Sequence, residues 1–459
     1  MNVDNKQANK EEQNKIRNIV QTICISLIID LLGFTVILPL FPSVLEFYKN
    51  NDQGSLYTSM EWAVSSFRKF VGVPETEDVN SVLFGGMIGS LFSFLQFLNS
   101  PIFGAASDRF GRKPMILISL VGSSLSYLLW AMSKSFSFFI FARIIAGISE
   151  ANVSISTAAV ADLPSAKARS KGMAGIGIAF SIGFVCGPMI GAWFAKQFSH
   201  QYNFYCGPAI FGFLITVFDI MYVAKSLPET LPPKNRATSM AVSVKDFGHL
   251  LNPISLFRFS AVGSVQNTAK AHSLRLLGVV YFLYLFLFSG LEFTLTFLAH
   301  RRFSFTRMDQ GKMFALLGLI MALVQGGYIR RKMENSEKQI ALKGMFLLII
   351  GLTVVGLSSS VWMLFVGLIF FSCAAASVVP CISSLAATHG DESEKGRVMG
   401  ILRSLGALAR ATGPICASVS YWLVGATFTY VVGGLLVIVP WLLLQRLDSI
   451  CVGDKKKSS

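Results

Sequence analysis

Among the ionisable side chains inside long apolar runs of this sequence, six stand out as candidates: Asp30, Arg143, Glu150, Glu292, Arg403 and Arg410. A charge at the centre of a bilayer costs about 2.5–3.5 kcal/mol on insertion scales, so such a residue normally faces a cavity or a partner. A carboxylate enclosed by apolar side chains can load a proton on one side of a membrane and release it on the other. That makes Asp30 and Glu292 candidate proton carriers. The bland alternative is a structural ion pair, for instance Asp30 with Arg143. Arg403 and Arg410 lie seven residues apart, nearly two helical turns, so both project from one face. Arginine stays charged and offers a planar fork for carboxylate, sulfonate or phosphate, so this pair suggests an anionic substrate group. Arg403, nearer the helix end, could instead pair with a loop carboxylate. Arg143 and Glu150 are likewise seven apart on one face and partly neutralise each other, though that spacing is long for a direct bridge. Gln96, Asn152 and Gln325 add uncharged groups to the same runs and are further candidates for substrate contact.

These side chains need elements that carry them through lipid. Of 459 residues, 53% are hydrophobic and only 14% charged, too few charges to cover a soluble protein of this length. Crossing the hydrocarbon core takes about 20 apolar residues. Twelve runs qualify: 18–42, 81–103, 114–133, 136–161, 172–195, 203–226, 276–299, 311–329, 339–359, 361–388, 397–420 and 425–446. The fold expected is an all-α membrane protein of twelve transmembrane helices. The net charge of +15 falls mostly in short clusters between these runs, which argues for membrane topology and against a nucleic-acid partner. Clusters such as Lys6–Arg17, Arg109–Lys113, Lys167–Lys171, Arg330–Lys332, Lys395–Arg397 and Lys455–Lys457 all fall on one side of a twelve-helix chain. By the positive-inside rule both termini are cytosolic, in the plasma membrane or an intracellular one. His300, Arg301, Arg302 and Arg307 fall on the other side and count weakly against this. The partners implied are the bilayer and a small organic substrate, with the protein a monomer.

The chain divides into a tail at 1–17, a six-helix half at 18–226, a polar linker at 227–275, a second six-helix half at 276–446 and a tail at 447–459. Within the long loop 43–80, the apolar spacing of Met60–Phe70 predicts a short interfacial helix. An internal repeat supports the two halves: Gly187-Pro188 is echoed by Gly413-Pro414, and Gly104 by Gly326, at nearly equal separations. Gly183, Gly187 and Gly191 form a ladder on one helix face, and Pro188 removes a backbone hydrogen bond there. Close packing and hinge bending are compatible readings of these residues and of Gly413 and Pro414. No pair among the seven cysteines has metal-ligand spacing, so no metal is expected. Phosphate-binding glycine motifs and hydrolase signatures are absent too, which argues against an enzyme, an ATP-driven pump or any cofactor beyond protons.

The most specific signal is Pro101-Ile-Phe-Gly104-Ala-Ala-Ser-Asp108-Arg109-Phe-Gly111-Arg112-Lys113-Pro114. Gly104 and Gly111 allow a tight turn at the membrane surface, and Asp108 can accept bonds from a neighbouring helix terminus or an arginine. Such a contact is a charge latch that must break when two halves rock. This loop resembles that of the major facilitator superfamily, and of its drug:proton antiporters in particular, tetracycline exporters among them. The resemblance covers nearly the whole chain: Asp30-Leu-Leu-Gly33 with Pro39 and Pro42, Arg143-Ile-Ile-Ala-Gly147, and Gly183-x3-Gly187-Pro188-x2-Gly191. Thr35 stands where the family usually has a second glycine. The second half, with Gln325-Gly326-Gly327 and Ser404–Pro414, is most similar to an animal, tetracycline-transporter-like branch of organic-anion exporters. The resemblance implies a gate role for Asp108, Arg109 and Arg112 and export coupled to protons. An uncoupled facilitator, or a transporter-derived receptor that moves no solute, is the alternative.

Overall fold

Lipid offers no hydrogen bonds to backbone N–H and C=O groups, so a chain this apolar must satisfy them within helices. The computed structural model describes residues 2–37, 40–52, 54–72, 77–198, 206–236, 252–260, 262, 268–333, 336–390 and 394–447, and among these every regular element is helical. Pro39, the linker stretch 237–251 and the tail 448–459, with Cys451 and Lys455–Lys457, lie outside the described residues.

The first half holds α1 (Asn2–Val36), α2 (Phe41–Asn51), α3 (Ser55–Val71), α4 (Glu77–Phe110), α5 (Arg112–Ala131), α6 (Phe136–Ser149), α7 (Asn152–Ala161), α8 (Ala166–Phe198) and α9 (Cys206–Ser226). A short linker helix, α10 (Pro253–Phe257), precedes the second half: α11 (Thr268–Phe303), α12 (Arg307–Leu323), α13 (Glu337–Leu357), α14 (Val361–His389), α15 (Lys395–Val424), α16 (Ala426–Leu436) and α17 (Ile438–Gln445). A capping box between Thr306 and Asp309 starts α12, and a π-turn at Val324–Ile329 extends it to Lys332.

Among the described residues eleven spans are long and apolar enough to cross a membrane, and each overlaps an expected one. Two are composite, α6 with α7 and α16 with α17. The twelfth expected span is α15, 30 residues long, whose polarity comes from Lys395, Arg397, Arg403 and Arg410. It tolerates them because it packs on α4 and α11 instead of facing lipid along its whole surface.

Helix neighbours repeat between the halves. The pairs α1–α8, α5–α9 and α4–α6 in the first are matched by α11–α15, α13–α16 and α12–α14 in the second. The halves meet along α4–α15 and α8–α12, themselves equivalent pairs under the repeat. Glycines permit the closest approaches. A Cβ on Gly104 would strike the Gly396 carbonyl, and one on Gly400 would lie 2.6 Å from the Ser100 carbonyl. Gly104 is thus a helical packing residue within α4, and the expected turn at Gly104 is not formed; Gly111, at φ 105°, makes the turn alone.

Prolines inside helices free the carbonyl four residues back, and the structure finds new donors for two of them. Pro101 frees Phe97 O, which accepts from Ser404 Oγ of the other half at 2.6 Å. Pro380 frees Ala376 O, which accepts from Gln325 Nε2 at 3.2 Å. The helix expected at Met60–Phe70 is present within α3, which buries Tyr57, Val64, Arg68 and Val71 and leaves Trp62 and Phe70 72% and 79% exposed.

Candidate functional site

The loop at one end of the bundle is built as a latch. The two carboxylate oxygens of Asp108 accept the backbone N–H groups of Gly396 and Arg397, each at 2.7 Å, in the first turn of α15. The first N–H groups of a helix have no partner within it and carry the positive end of its dipole, so a buried carboxylate there is doubly favoured. Arg112 is fully buried and holds Asp108 at 2.7 Å and Asp162, at the end of α7, at 2.9 Å. Its backbone N–H donates to Glu229 Oε1 at 2.9 Å, so the first linker residues brace the turn. Arg109 does not join this network: it is exposed, with its guanidinium 5.3 Å from the Phe110 ring. Asp108 and Arg112 thus make the interhelical contacts a latch needs, and Arg109 makes none of them. Asp162 and Glu229 were missed in the sequence because their pairing with Arg112 spans 50 and 117 residues.

The interior polar groups form a second constellation. Asp30 on α1 accepts from Asn152 Nδ2 at 3.0 Å, and Asn152 opens α7 at a break in the fourth span. Glu150 and Ala151 leave helical geometry there, at ψ 84° and φ −130°. Ser119 on α5 bridges the gap, donating to Ser149 O at 2.7 Å and accepting from Ala151 N at 3.2 Å. The break also overturns the expected shared face of Arg143 and Glu150, because α6 ends at Ser149 and no continuous helix joins them. A carboxylate at a discontinuity deep in the bundle is the arrangement that membrane transporters use to expose polar groups to a cavity. Ser119→Ala leaves the freed Ala151 N–H without that acceptor, so a loss of about 1–3 kcal/mol is expected. Thermal unfolding of the purified protein reads it; an unchanged melting temperature would show that the hydroxyl does not hold the break.

Arg143 is buried with its guanidinium carbon 5.2 Å from the Trp130 ring and 5.7 Å from the Phe139 ring, and its Nε and Nη2 have no partner among the described residues. The Asp30–Arg143 ion pair is not formed among the described residues. Tyr127 lies within electrostatic reach of both, and a Cβ on Gly33 would come within 2.9 Å of its hydroxyl. Asp219 on α9 is a further buried carboxylate; Oδ2 accepts from Ser26 Oγ at 2.8 Å, and it senses Asp30. The signal for it was present in the sequence, an acid within the span 203–226, under the rule that picked out Asp30.

Across the interface, Arg410 Nη2 donates to Gln96 Oε1 of α4 at 2.9 Å. Arg410 lies within electrostatic reach of Arg403, Tyr281, Glu150 and Glu292, and Glu150 within reach of Asp30 and both arginines. Arg403 sets its guanidinium 5.7 Å from the Phe180 ring on α8 of the other half. The structure thus gathers Asp30, Glu150, Asn152, Gln96, Glu292, Arg403 and Arg410 into one cluster shared by both halves. Gln325 stands apart as a clamp, accepting from Ser181 Oγ at 2.7 Å and donating to the carbonyl freed by Pro380. Gly183 and Gly187 pack on α1, where Thr35 Oγ1 donates to Gly183 O at 2.9 Å, which gives the hydroxyl at that position a use. Gly191 is buried in α8, which runs through Pro188. Gly413 lies against Phe286 O and Ser289, so a side chain is excluded there too; Pro414 follows it within α15. The described groups include no cluster of His, Cys, Asp or Glu able to hold a metal.

Comparison with known proteins agrees with this geometry. The human and bovine proteins named Major facilitator superfamily domain-containing protein 10 are each 47% identical, the human one over 95% of this chain and 94% of its own length. The class B tetracycline resistance protein of Escherichia coli is 24% identical over 94% of this chain and 97% of its own. The crystal structure titled human organic anion transporter MFSD10 (TETRAN) superposes with a TM-score of 0.88 at 46% identity, covering 94% of this chain and 99% of that one. A proton:xylose symporter, XylE, shares the fold with a TM-score of 0.70 at 14% identity. With residues 23–414 also matching the family's own sequence pattern, this chain is a membrane transporter, not an enzyme, and belongs to the Major Facilitator Superfamily.

Proposed function

We propose that this chain is a proton-coupled antiporter that exports amphipathic organic anions by alternating access. The observation that carries the reading is the partner of Arg410, which is the neutral amide of Gln96 and not a carboxylate. Its charge is therefore not cancelled by a direct ion pair and can attract an anionic group. Asp30 and Glu292 stand in the same cluster, also without an ion pair among the described residues, where they can exchange protons. The Phe180 ring, 5.7 Å from the Arg403 guanidinium, sets an aromatic surface beside the cluster that suits the organic body of such a solute. The similar human protein is titled an organic anion transporter, which points to the same substrate class. With the basic loops and both termini cytosolic by the positive-inside rule, a closed Asp108 latch describes a state shut toward the cytosol.

The test is uptake of a fluorescent organic anion into liposomes holding the purified protein, with an imposed pH gradient. The gradient is expected to drive uptake, and Asp30→Asn is expected to abolish that stimulation while exchange of substrate for substrate persists. Uptake indifferent to the gradient and to Asp30→Asn would replace antiport with uncoupled facilitation.

A further inference from the structure

Away from the central cluster, a cavity of about 530 Å³ opens between the halves at the α8–α12 contact. Lys167, Ser170 and Lys171 at the start of α8 form one wall, and Gly326, Arg330 and Arg331 at the end of the extended α12 form the other. Lys167 and Lys171 are four residues apart and so project from one face. The π-turn at Val324–Ile329 sets the direction of Arg330 and Arg331, and Gly326 keeps the floor open, with only Ile178 Cδ1 as near as 4.0 Å to where its Cβ would stand.

Two cations from each half therefore face one hollow, and among the described residues none of the four makes an ion pair or hydrogen bond. The carboxylate of Glu337 stands behind the wall, where its Oε1 accepts from Ser170 Oγ at 2.9 Å and Ser384 Oγ at 3.4 Å. Even with Glu337 counted, the hollow keeps a net positive charge. Membrane topology asks only that cations sit in the loops on one side; it does not ask that they converge from two halves on a shared cavity, where they repel one another.

We propose that this cavity binds a phosphate-bearing anion, an anionic lipid headgroup or a free soluble phosphate compound, which ties α8 to α12 and holds the halves together at this end. The volume suits a ligand larger than a bare ion. Arginine forks match phosphate oxygens in pairs, and the lysines add mobile point charges. Because the walls belong to different halves, such an anion binds the closed arrangement better than one in which the halves have parted, and it shifts the population by that difference.

Thermal unfolding of the full-length protein tests this without reference to transport. The soluble probe is inositol hexakisphosphate in neutral detergent; the lipid probe is phosphatidylcholine nanodiscs with and without phosphatidylinositol bisphosphate. At least one probe is expected to raise the melting temperature saturably. Lys171→Gln and Arg330→Gln should each weaken that response about tenfold. The double variant should lose it, and Lys171→Arg should keep it. All four cations are exposed, so these changes leave core packing alone. A response to the soluble probe alone assigns the site to free phosphates, and a response to the lipid alone assigns it to a headgroup. No shift with either probe, or an undiminished shift in the double variant, overturns the proposal.

Discussion

Asp108→Asn is expected to open the end of the bundle that carries the latch. Both oxygens of Asp108 accept backbone N–H groups of α15, and asparagine has only one oxygen for the two; its amide nitrogen would meet an N–H head to head. The substitution also removes the anion that faces the positive end of α15 and half of the carboxylate pair around Arg112. Together these losses are worth about 2–3 kcal/mol in favour of parted halves, a roughly 30- to 150-fold change in the equilibrium. Spin labels at Phe110→Cys and Thr388→Cys in a cysteine-free background would read it by pulsed electron resonance. The longer-distance population should grow in the Asp108→Asn protein. Identical distance distributions would show that the latch does not set the balance between states.

Arg410→Gln should have its largest effect on anionic solutes. A hydrogen bond to a charged group is worth about 1.5–3 kcal/mol, so the dissociation constant of an organic anion should rise roughly 10- to 150-fold. An uncharged analogue of the same shape should be affected little, and Arg410→Lys should restore part of the anion's affinity, since it keeps the charge and loses the fork. Binding of a matched pair of solutes, one acid and its neutral amide, to purified protein separates the cases. Equal losses for both members, or none for either, would remove Arg410 from substrate recognition. The amide of Gln96 would lose its donor, and the neighbouring Glu150 and Glu292 would lose a countercharge, so melting temperatures are needed alongside.

The twelve spans, the duplicated halves and the latch loop are all legible in one dimension, and the reason is local. A helix in lipid must satisfy its own backbone, so about 20 apolar residues in a row suffice to declare it, and a short charged turn declares its own chemistry. Even α15, too polar to pass as a simple lipid-facing span, shows its length and its glycines in the sequence. Partners are a different matter. Arg112 finds Asp162 and Glu229 across 50 and 117 residues, Asp108 finds α15 across 288, and Gln96 finds Arg410 across 314. No spacing rule reaches that far. The same distance hid the break after Ser149, which depends on Ser119 from another helix to satisfy the freed backbone. Nor could spacing show that Gln325, read as a cavity group, serves the Ala376 carbonyl that Pro380 frees on α14. The latch loop that reads so clearly as sequence thus brings Asp108 and Arg112 into contact with α15 and α7 and leaves Arg109 exposed. Charge and length are properties of a segment, whereas pairing is a property of two segments brought together, and packing alone settles which two.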